Sequence, residues 1–96
     1  MKKKDIQVLV ISVLKEVQQM SGREWTTLGD DAPPIGTLEG FDSLAGMEAT
    51  ALIEEKLKAA AGLNLLGDES VFVAENKALT LSQICDKISA VLAGDA

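Results

Sequence analysis

Residues Leu38–Leu57, LEGFDSLAGMEATALIEEKL, contain the clearest helix signal in the chain. Asp42 and Ser43 are both residue types that favour the N-cap of a helix, and no breaker stronger than Gly46 follows them before Gly62. The pattern therefore predicts a helix that begins at Asp42 or Ser43 and ends near Gly62.

This central helix has two apolar faces. At 3.6 residues per turn, one face holds four apolar side chains: Ala49, Ile53, Leu57 and Ala60. The nearly opposite face holds three more: Leu44, Met47 and Ala51. Charged side chains flank this second face: Glu48, Glu55 and Lys58. Because a small domain can bury only one of the two faces, the second is expected at the surface, where an apolar patch rimmed by charge indicates a partner.

Length and composition indicate a single domain over residues 1–96 with an aliphatic core. The chain is 47% hydrophobic and 25% charged, as in globular proteins, but contains only one Trp, two Phe and no Tyr. Such a core is typical of a helical bundle built from Leu, Ile, Val and Ala.

The charge balance makes nucleic acid an unfavourable ligand. The net charge is −6, and three of the nine basic residues are the consecutive Lys2, Lys3 and Lys4, so the rest of the chain is strongly acidic. An acidic body repels phosphate backbones and attracts basic protein surfaces.

Histidine is absent and Cys85 is the only cysteine. Ser-His-Asp and Cys-His catalysis and the usual zinc sites are therefore excluded, and we expect neither an enzyme nor a metal site. No intrachain disulfide is possible, which suits the reducing cytoplasm. We expect the protein to be a monomer. The lysines before Ile6–Ile11 resemble a signal peptide slightly, but polar residues interrupt the apolar run and no small-residue cleavage site follows. No run is long enough to span a membrane.

Two further helices are predicted. The first begins with Asp5 as its N-cap and ends near Ser21 and Gly22, with a stripe of apolar residues: Ile6, Leu9, Val10, Val13, Val17 and Met20, with Leu14 at its edge. A buried strand over Ile6–Val13 is the alternative, but the pattern is too long for one. The last helix has a capping box of Thr80 and Gln83 and runs to Gly94 with one broad apolar face: Leu81, Ile84, Cys85, Ile88, Val91 and Leu92. On that face Cys85 is expected to be a small buried hydrophobe.

The connections between these helices differ in length. Residues 22–41 form a long loop with five side chains able to pack on the bundle: Trp25, Leu28, Ile35, Leu38 and Phe41. Later in the chain, Leu63, Leu65 and Leu66 are expected to anchor a loop. A short helix or single turn is predicted within Asp68–Ala74, with an extended segment as the alternative, and a turn at residues 75–77. The fold class is thus all-α, an antiparallel four-helix bundle with a long first loop and a short third helix.

The central stretch resembles the attachment site of acyl and peptidyl carrier proteins, in which Gly-x-Asp-Ser-Leu opens the second helix. The matching residues are Gly40, Asp42, Ser43 and Leu44. The resemblance implies that Ser43 carries 4′-phosphopantetheine, transferred from coenzyme A by a phosphopantetheinyl transferase, and that the thiol of this arm holds an acyl or aminoacyl thioester. It implies a function in fatty acid, polyketide or related lipid biosynthesis.

The resemblance also implies that the second apolar face docks the enzymes that load and process the arm. The expected docking residues are Leu44, Met47, Glu48, Ala51 and Glu55, with the acidic side chains pairing with basic partner surfaces. In fatty-acid carriers an acidic residue usually follows Ser-Leu, whereas Ala45 and Gly46 follow here, and a close approach by a partner backbone would account for Gly46. This departure favours a specialised carrier. The alternatives are an aminoacyl or peptidyl carrier and a small acidic helical adaptor without a prosthetic group.

Overall fold

The computed structural model describes residues 2–25, 27–61, 71–74 and 77–92. The elements in chain order are α1 (Lys3–Met20), α2 (Pro34–Thr37), α3 (Ser43–Ala61), β1 (Val73–Ala74), β2 (Lys77–Ala78) and α4 (Leu81–Leu92). The chain is mostly helical, in agreement with the predicted all-α class. Helix α1 packs against both α3 and α4.

Helix α1 begins earlier than predicted. Its N-cap is Lys2, whose backbone N–H donates to Oδ2 of Asp5 at 3.2 Å. The prediction of Asp5 as N-cap is therefore wrong, because its carboxylate accepts the hydrogen bond from a position within the first turn. The helix dipole also stabilises a negative charge in that turn. The predicted end is confirmed: the helix stops at Met20, and Gly22 follows with a positive φ of 69°.

The buried stripe of α1 differs from the prediction near its end. The fully buried apolar residues are Ile6, Val10, Val13, Leu14 and Val17. Leu14 thus belongs to the core rather than to its edge, whereas Met20 is 66% exposed and its assignment to the core stripe is wrong. Gln18 is buried in its place, because the chain returning toward α3 passes over Gln18 and not over Met20.

Helix α3 begins at Ser43, with Asp42 as its N-cap. Oδ1 of Asp42 accepts a hydrogen bond from the backbone N–H of Ala45 at 3.0 Å, which satisfies one of the free donors of the first turn. The buried face includes Ala49, Ile53 and Leu57, as predicted. It is also wider than predicted and takes in three small residues nearer the N-terminus: Ala45, Gly46 and Thr50.

Residues 71 and 72 lie against two of these small residues of α3. The backbone N–H of Val71 donates to Oγ1 of Thr50 at 3.1 Å, and the same hydroxyl donates to the carbonyl oxygen of Gly46 at 2.7 Å. Val71 and Phe72 lie in a turn, after which β1 pairs with β2 in an antiparallel hairpin. The short helix predicted within Asp68–Ala74 is wrong for residues 71–74, because the hydrogen bond to Thr50 and the hairpin direct this backbone into a turn and a strand. The turn at residues 71 and 72 and the strand at residues 73 and 74 agree with the single turn and the extended alternative.

The remaining predictions for the connection between α3 and α4 lie outside the described residues. They are residues 68–70 of the predicted short helix, the anchors Leu63, Leu65 and Leu66, and residues 75 and 76 of the predicted turn.

The long first loop packs on the bundle as predicted. Leu28, Leu38 and Phe41 are buried, and Trp25 and Ile35 are partly buried against the same core. The rings of Phe41 and Phe72 make an edge-to-face contact, with centroids 5.4 Å apart. Within this loop, α2 is a single turn of type II geometry rather than a regular helix: Gly36 has a φ of 98°, which suits the third position of such a turn.

Helix α4 begins with the predicted capping box. The backbone N–H of Thr80 donates to Oε1 of Gln83 at 2.9 Å, and the N–H of Gln83 donates to Oγ1 of Thr80 at 3.2 Å. The buried residues are Leu81, Ile84, Cys85 and Ile88, so the expected burial of Cys85 is confirmed. The first two N–H groups of the helix, from Leu81 and Ser82, donate to loop carbonyls of Ala32 and Asp30 at 3.0 and 2.9 Å.

Candidate functional site

Ser43 lies at the first position of α3 with its side chain exposed. Capping is performed by Asp42, so the hydroxyl of Ser43 is not needed to satisfy the helix terminus. Within the part of the chain that the structure describes, no hydrogen bond involves Oγ of Ser43. The hydroxyl is therefore accessible to another molecule.

The surroundings of Ser43 suit an acceptor of a chemical group rather than a nucleophilic catalyst. A serine hydroxyl is a weak nucleophile without a base, and the chain contains no histidine to supply one. The positions two before and two after Ser43 are Phe41 and Ala45, so no Gly-x-Ser-x-Gly elbow is present. A phosphate attached here would lie at a helix N-terminus, where the macrodipole favours an anion.

A surface patch follows Ser43 directly along α3. We define the α3 patch as five exposed residues: Leu44, Met47, Glu48, Ala51 and Glu55. Leu44 is 65% exposed and Met47 is 56% exposed, which are high values for large apolar side chains. The residues are spaced by three, four or one along the helix, so they share one side of α3. The second apolar face of the helix is thus outside the core formed by the described residues.

Ala45 and Gly46 do not belong to this patch. Both are buried, and a Cβ added at Gly46 would lie 3.4 Å from Cβ of Phe72 and 3.5 Å from Cδ1 of Ile35. The explanation of Gly46 by a close partner backbone is therefore wrong, because the close neighbours belong to the chain itself.

Two side chains contact the turn before Ser43. One is in the last turn of α1 and the other in the loop that follows this helix. Nε2 of Gln18 donates to the carbonyl oxygen of Glu39 at 2.9 Å, and Nη1 of Arg23 donates to the carbonyl oxygen of Gly40 at 2.7 Å. Sequence reasoning missed both residues. Gln18 follows Leu14 by four positions and so continues the buried stripe, but no local signal in the sequence connects Arg23 with Gly40.

Gly40, in the turn before Ser43, has a backbone conformation that favours glycine. Its φ is 63°, a left-handed conformation that other residues rarely adopt, and an added Cβ would lie 2.5 Å from Nε of Arg23. The backbone conformation therefore favours glycine, and any added side chain would also require the guanidinium of Arg23 to move.

Other surface features lie apart from Ser43 in the sequence. A shallow open groove is lined by Glu16, Leu52, Glu55 and Lys56, and Nζ of Lys56 is 3.9 Å from Oε2 of Glu16. Among the described residues, no group of three or more His, Cys, Asp or Glu side chains is arranged to hold a metal ion. In the same residues no helix combines the length and apolar character that crossing a bilayer requires.

Comparisons of the chain with protein-family models, with curated proteins and with solved structures found no match.

Proposed function

We propose that the protein is an acyl carrier protein. In this proposal Ser43 carries 4′-phosphopantetheine, and the thiol of that arm carries an acyl or aminoacyl intermediate as a thioester. The protein itself is not an enzyme but presents the intermediate to partner enzymes, in a specialised lipid, polyketide or related biosynthetic pathway.

One observation supports the proposal most strongly. Ser43, the first residue of α3, has an exposed hydroxyl that is not used in capping, and it lies beside an exposed apolar surface. Asp42 caps the helix in place of Ser43, and the α3 patch begins at the next residue. A modified serine must be reachable by one enzyme and then presented to others, so an attachment point adjoining a docking surface suits a carrier.

The proposed modification transfers one phosphopantetheine group from coenzyme A to Ser43. Oγ of Ser43 forms a bond to the phosphorus that bears the pantetheine in coenzyme A, and the pyrophosphate P–O bond of the coenzyme breaks. The adenosine bisphosphate part leaves, and a base of the transferase takes the serine proton. The product is a phosphodiester, whose single negative charge is favoured at the start of a helix.

The proposal extends to the fold and to the partners. For the fold, we propose the antiparallel four-helix bundle of carriers, in which α1, α3 and α4 are three members. The partners are a phosphopantetheinyl transferase and acyl-loading and acyl-processing enzymes with basic surfaces, which Glu48 and Glu55 of the α3 patch would attract. The carrier acts as a monomer in the cytoplasm and binds no nucleic acid.

The direct test is incubation of the purified protein with coenzyme A and a phosphopantetheinyl transferase of broad specificity, followed by intact-mass measurement. We expect a mass increase of one phosphopantetheine group, with Ser43 as the modified residue in a peptide digest. The Ser43→Ala variant should fold normally and gain no mass. Ser21→Ala is a matched control, because Ser21 is also exposed at the end of a helix, and this variant should be modified as the unaltered protein is.

A small acidic adaptor without a prosthetic group is the second candidate, and the exposure of Leu44 and Met47 favours it independently of Ser43. The two candidates differ in the same experiment. An unchanged mass with a competent transferase would exclude the carrier and leave the adaptor. If the mass increases, the cargo found on the protein from its host distinguishes an acyl from an aminoacyl or peptidyl carrier.

A further inference from the structure

Two side chains hold the turn that precedes Ser43, one from the last turn of α1 and one from the loop that follows this helix. Gln18 donates to the carbonyl oxygen of Glu39, and Arg23 donates to the carbonyl oxygen of Gly40, at 2.9 and 2.7 Å. Because Glu39 and Gly40 are consecutive, the two hydrogen bonds fix one short segment of backbone. This segment leads directly into the N-cap of α3.

The two donors are themselves joined. The backbone N–H of Arg23 donates to the carbonyl oxygen of Gln18 at 2.8 Å, and Gln18 is only 1% exposed. Gln18 thus lies in the core and anchors the loop residue that follows it. We call Gln18 and Arg23 together the α1-end clamp.

The guanidinium of Arg23 lies close to Gly40. An added Cβ at Gly40 would lie 2.5 Å from Nε and 2.6 Å from Cζ of Arg23, far inside normal contact distance. The guanidinium therefore lies directly against the backbone of Gly40. A change at either residue alters the space available to the other.

We propose that Arg23 and Gln18 are positioning residues for the modification of Ser43, an inference that rests on the proposed function. By fixing Glu39 and Gly40, the clamp holds Asp42 where its carboxylate caps α3. The helix then begins at Ser43, and the hydroxyl is presented to the transferase in one conformation.

The clamp acts by pre-organising the turn, which determines the expected kinetic effect. When only a fraction of molecules has the binding-competent conformation, the apparent dissociation constant increases by the inverse of that fraction. If about one tenth of the Arg23→Ala molecules keep the ordered turn, KM for the protein substrate increases about tenfold while kcat is unchanged.

The first measurement follows the turn itself in the unmodified protein, by amide hydrogen exchange. The N–H of Phe41 donates to the carbonyl oxygen of Leu38 at 3.1 Å, and that of Ala45 donates to Asp42. Both amides should exchange about tenfold faster in Arg23→Ala. Ile84, whose N–H donates to the carbonyl oxygen of Thr80 at the start of α4, is the internal reference and should be unaffected.

The second measurement is the steady-state rate of modification by the transferase. Arg23→Ala should increase KM at constant kcat, and Arg23→Lys should restore part of the loss because it keeps one charged donor. Lys77→Ala removes the same charge from an exposed site and serves as the matched control, with unchanged KM and unchanged exchange.

A double-mutant cycle with Gly40→Ala tests whether Arg23 and Gly40 act through their mutual contact, and hydrogen exchange in the unmodified protein separates the clamp from a direct contact with the transferase. Gly40→Ala should increase KM less in the Arg23→Ala background than alone, since the clash with the guanidinium is then absent. Independent effects of the two changes would overturn the positioning role.

The two proposals fail in different ways. Modification of Arg23→Ala with the KM of the unaltered protein, or unchanged exchange at Phe41 and Ala45, overturns the positioning role and leaves the carrier function intact. Absence of any modification of the unaltered protein overturns the carrier function, and the positioning role for that reaction with it.

Discussion

The backbone of Gly46 in α3 lies against the side chain of Phe72. A Cβ added at Gly46 would be 3.4 Å from Cβ and 3.6 Å from Cδ2 of Phe72, which is ordinary van der Waals contact. One methyl group therefore fits without displacing the turn at residues 71 and 72, but a larger side chain does not.

We predict that Gly46→Ala stabilises the protein. Alanine favours a helix interior by about 0.8–1.0 kcal/mol over glycine, and the methyl group meets Phe72 at contact distance. The free energy of unfolding in urea should increase by about 0.5–1 kcal/mol. Gly46→Leu is the matched contrast and should lower it by about 1–3 kcal/mol through overpacking. Destabilisation by alanine would show that the turn at Phe72 cannot tolerate even a methyl group.

Thr50 is predicted to be sensitive to loss of its hydroxyl. This buried group donates to Gly46 and accepts from the N–H of Val71, so it joins α3 to the turn at residues 71 and 72. Thr50→Val keeps the shape but leaves a buried N–H unpaired, at a cost of about 1–3 kcal/mol. Thr50→Ser keeps the hydroxyl and should lose less, and urea unfolding of the two variants compares them. Equal losses would mean that shape, not hydrogen bonding, determines this contact.

The α3 patch is predicted to act in partner binding and not in stability. Met47→Glu should lower kcat/KM for modification by the transferase about tenfold, equivalent to roughly 1.4 kcal/mol, without lowering Tm. Val8→Glu is the control, because Val8 is 63% exposed on α1, comparable to Met47 at 56%. A large drop in Tm for Met47→Glu would show that the patch contributes to packing.

Cys85 is predicted to be unreactive in the folded protein. The side chain is 1% exposed, and burial raises the pKa of its thiol, so the reactive thiolate is disfavoured. A thiol-labelling reagent should modify the protein only in urea. Rapid labelling of the folded state at neutral pH would contradict this.

The same raised pKa gives a direction for the pH dependence of stability. Because the folded state favours the protonated thiol, the unfolded chain loses its proton first as the pH increases. The free energy of unfolding should therefore be unaffected by Cys85 at lower pH and should decrease as the pH rises above about 8.5. Cys85→Ala, unfolded in urea over the same pH series, should have a smaller slope; an identical slope would rule out Cys85 as its source.

Local sequence signals predicted the end of α1 and the caps of α3 and α4. Asp42 and the pair Thr80 and Gln83 act as caps where their residue types indicated, since capping depends only on neighbours in the chain. Ser43 is likewise exposed at the first position of α3, as its place beside Asp42 in the sequence predicted. Asp5 was misassigned by the same logic because a carboxylate serves a helix start from the cap or from the third position.

Features that depend on contacts between residues far apart in the sequence were not predictable from local patterns. Met20 was predicted to be buried but is exposed, whereas Gln18 is buried and donates to the carbonyl oxygen of Glu39. Gly46 and Thr50 gave no local sign that residues 71 and 72 pack against them. Nor did the sequence around Arg23 indicate that its guanidinium meets Gly40, so the part of the candidate site outside the motif was visible only in three dimensions.

The start of α4 has a consequence for how the protein folds. Its first N–H groups, from Leu81 and Ser82, are satisfied by carbonyls of Ala32 and Asp30 in the other half of the chain. A helix of this length is marginal in isolation, and two of its terminal donors find partners only after a long loop has closed. Formation of α4 is therefore coupled to docking of the first loop. Because these hydrogen bonds are made by backbone carbonyls, the coupling tolerates exchange of the side chains at positions 30 and 32.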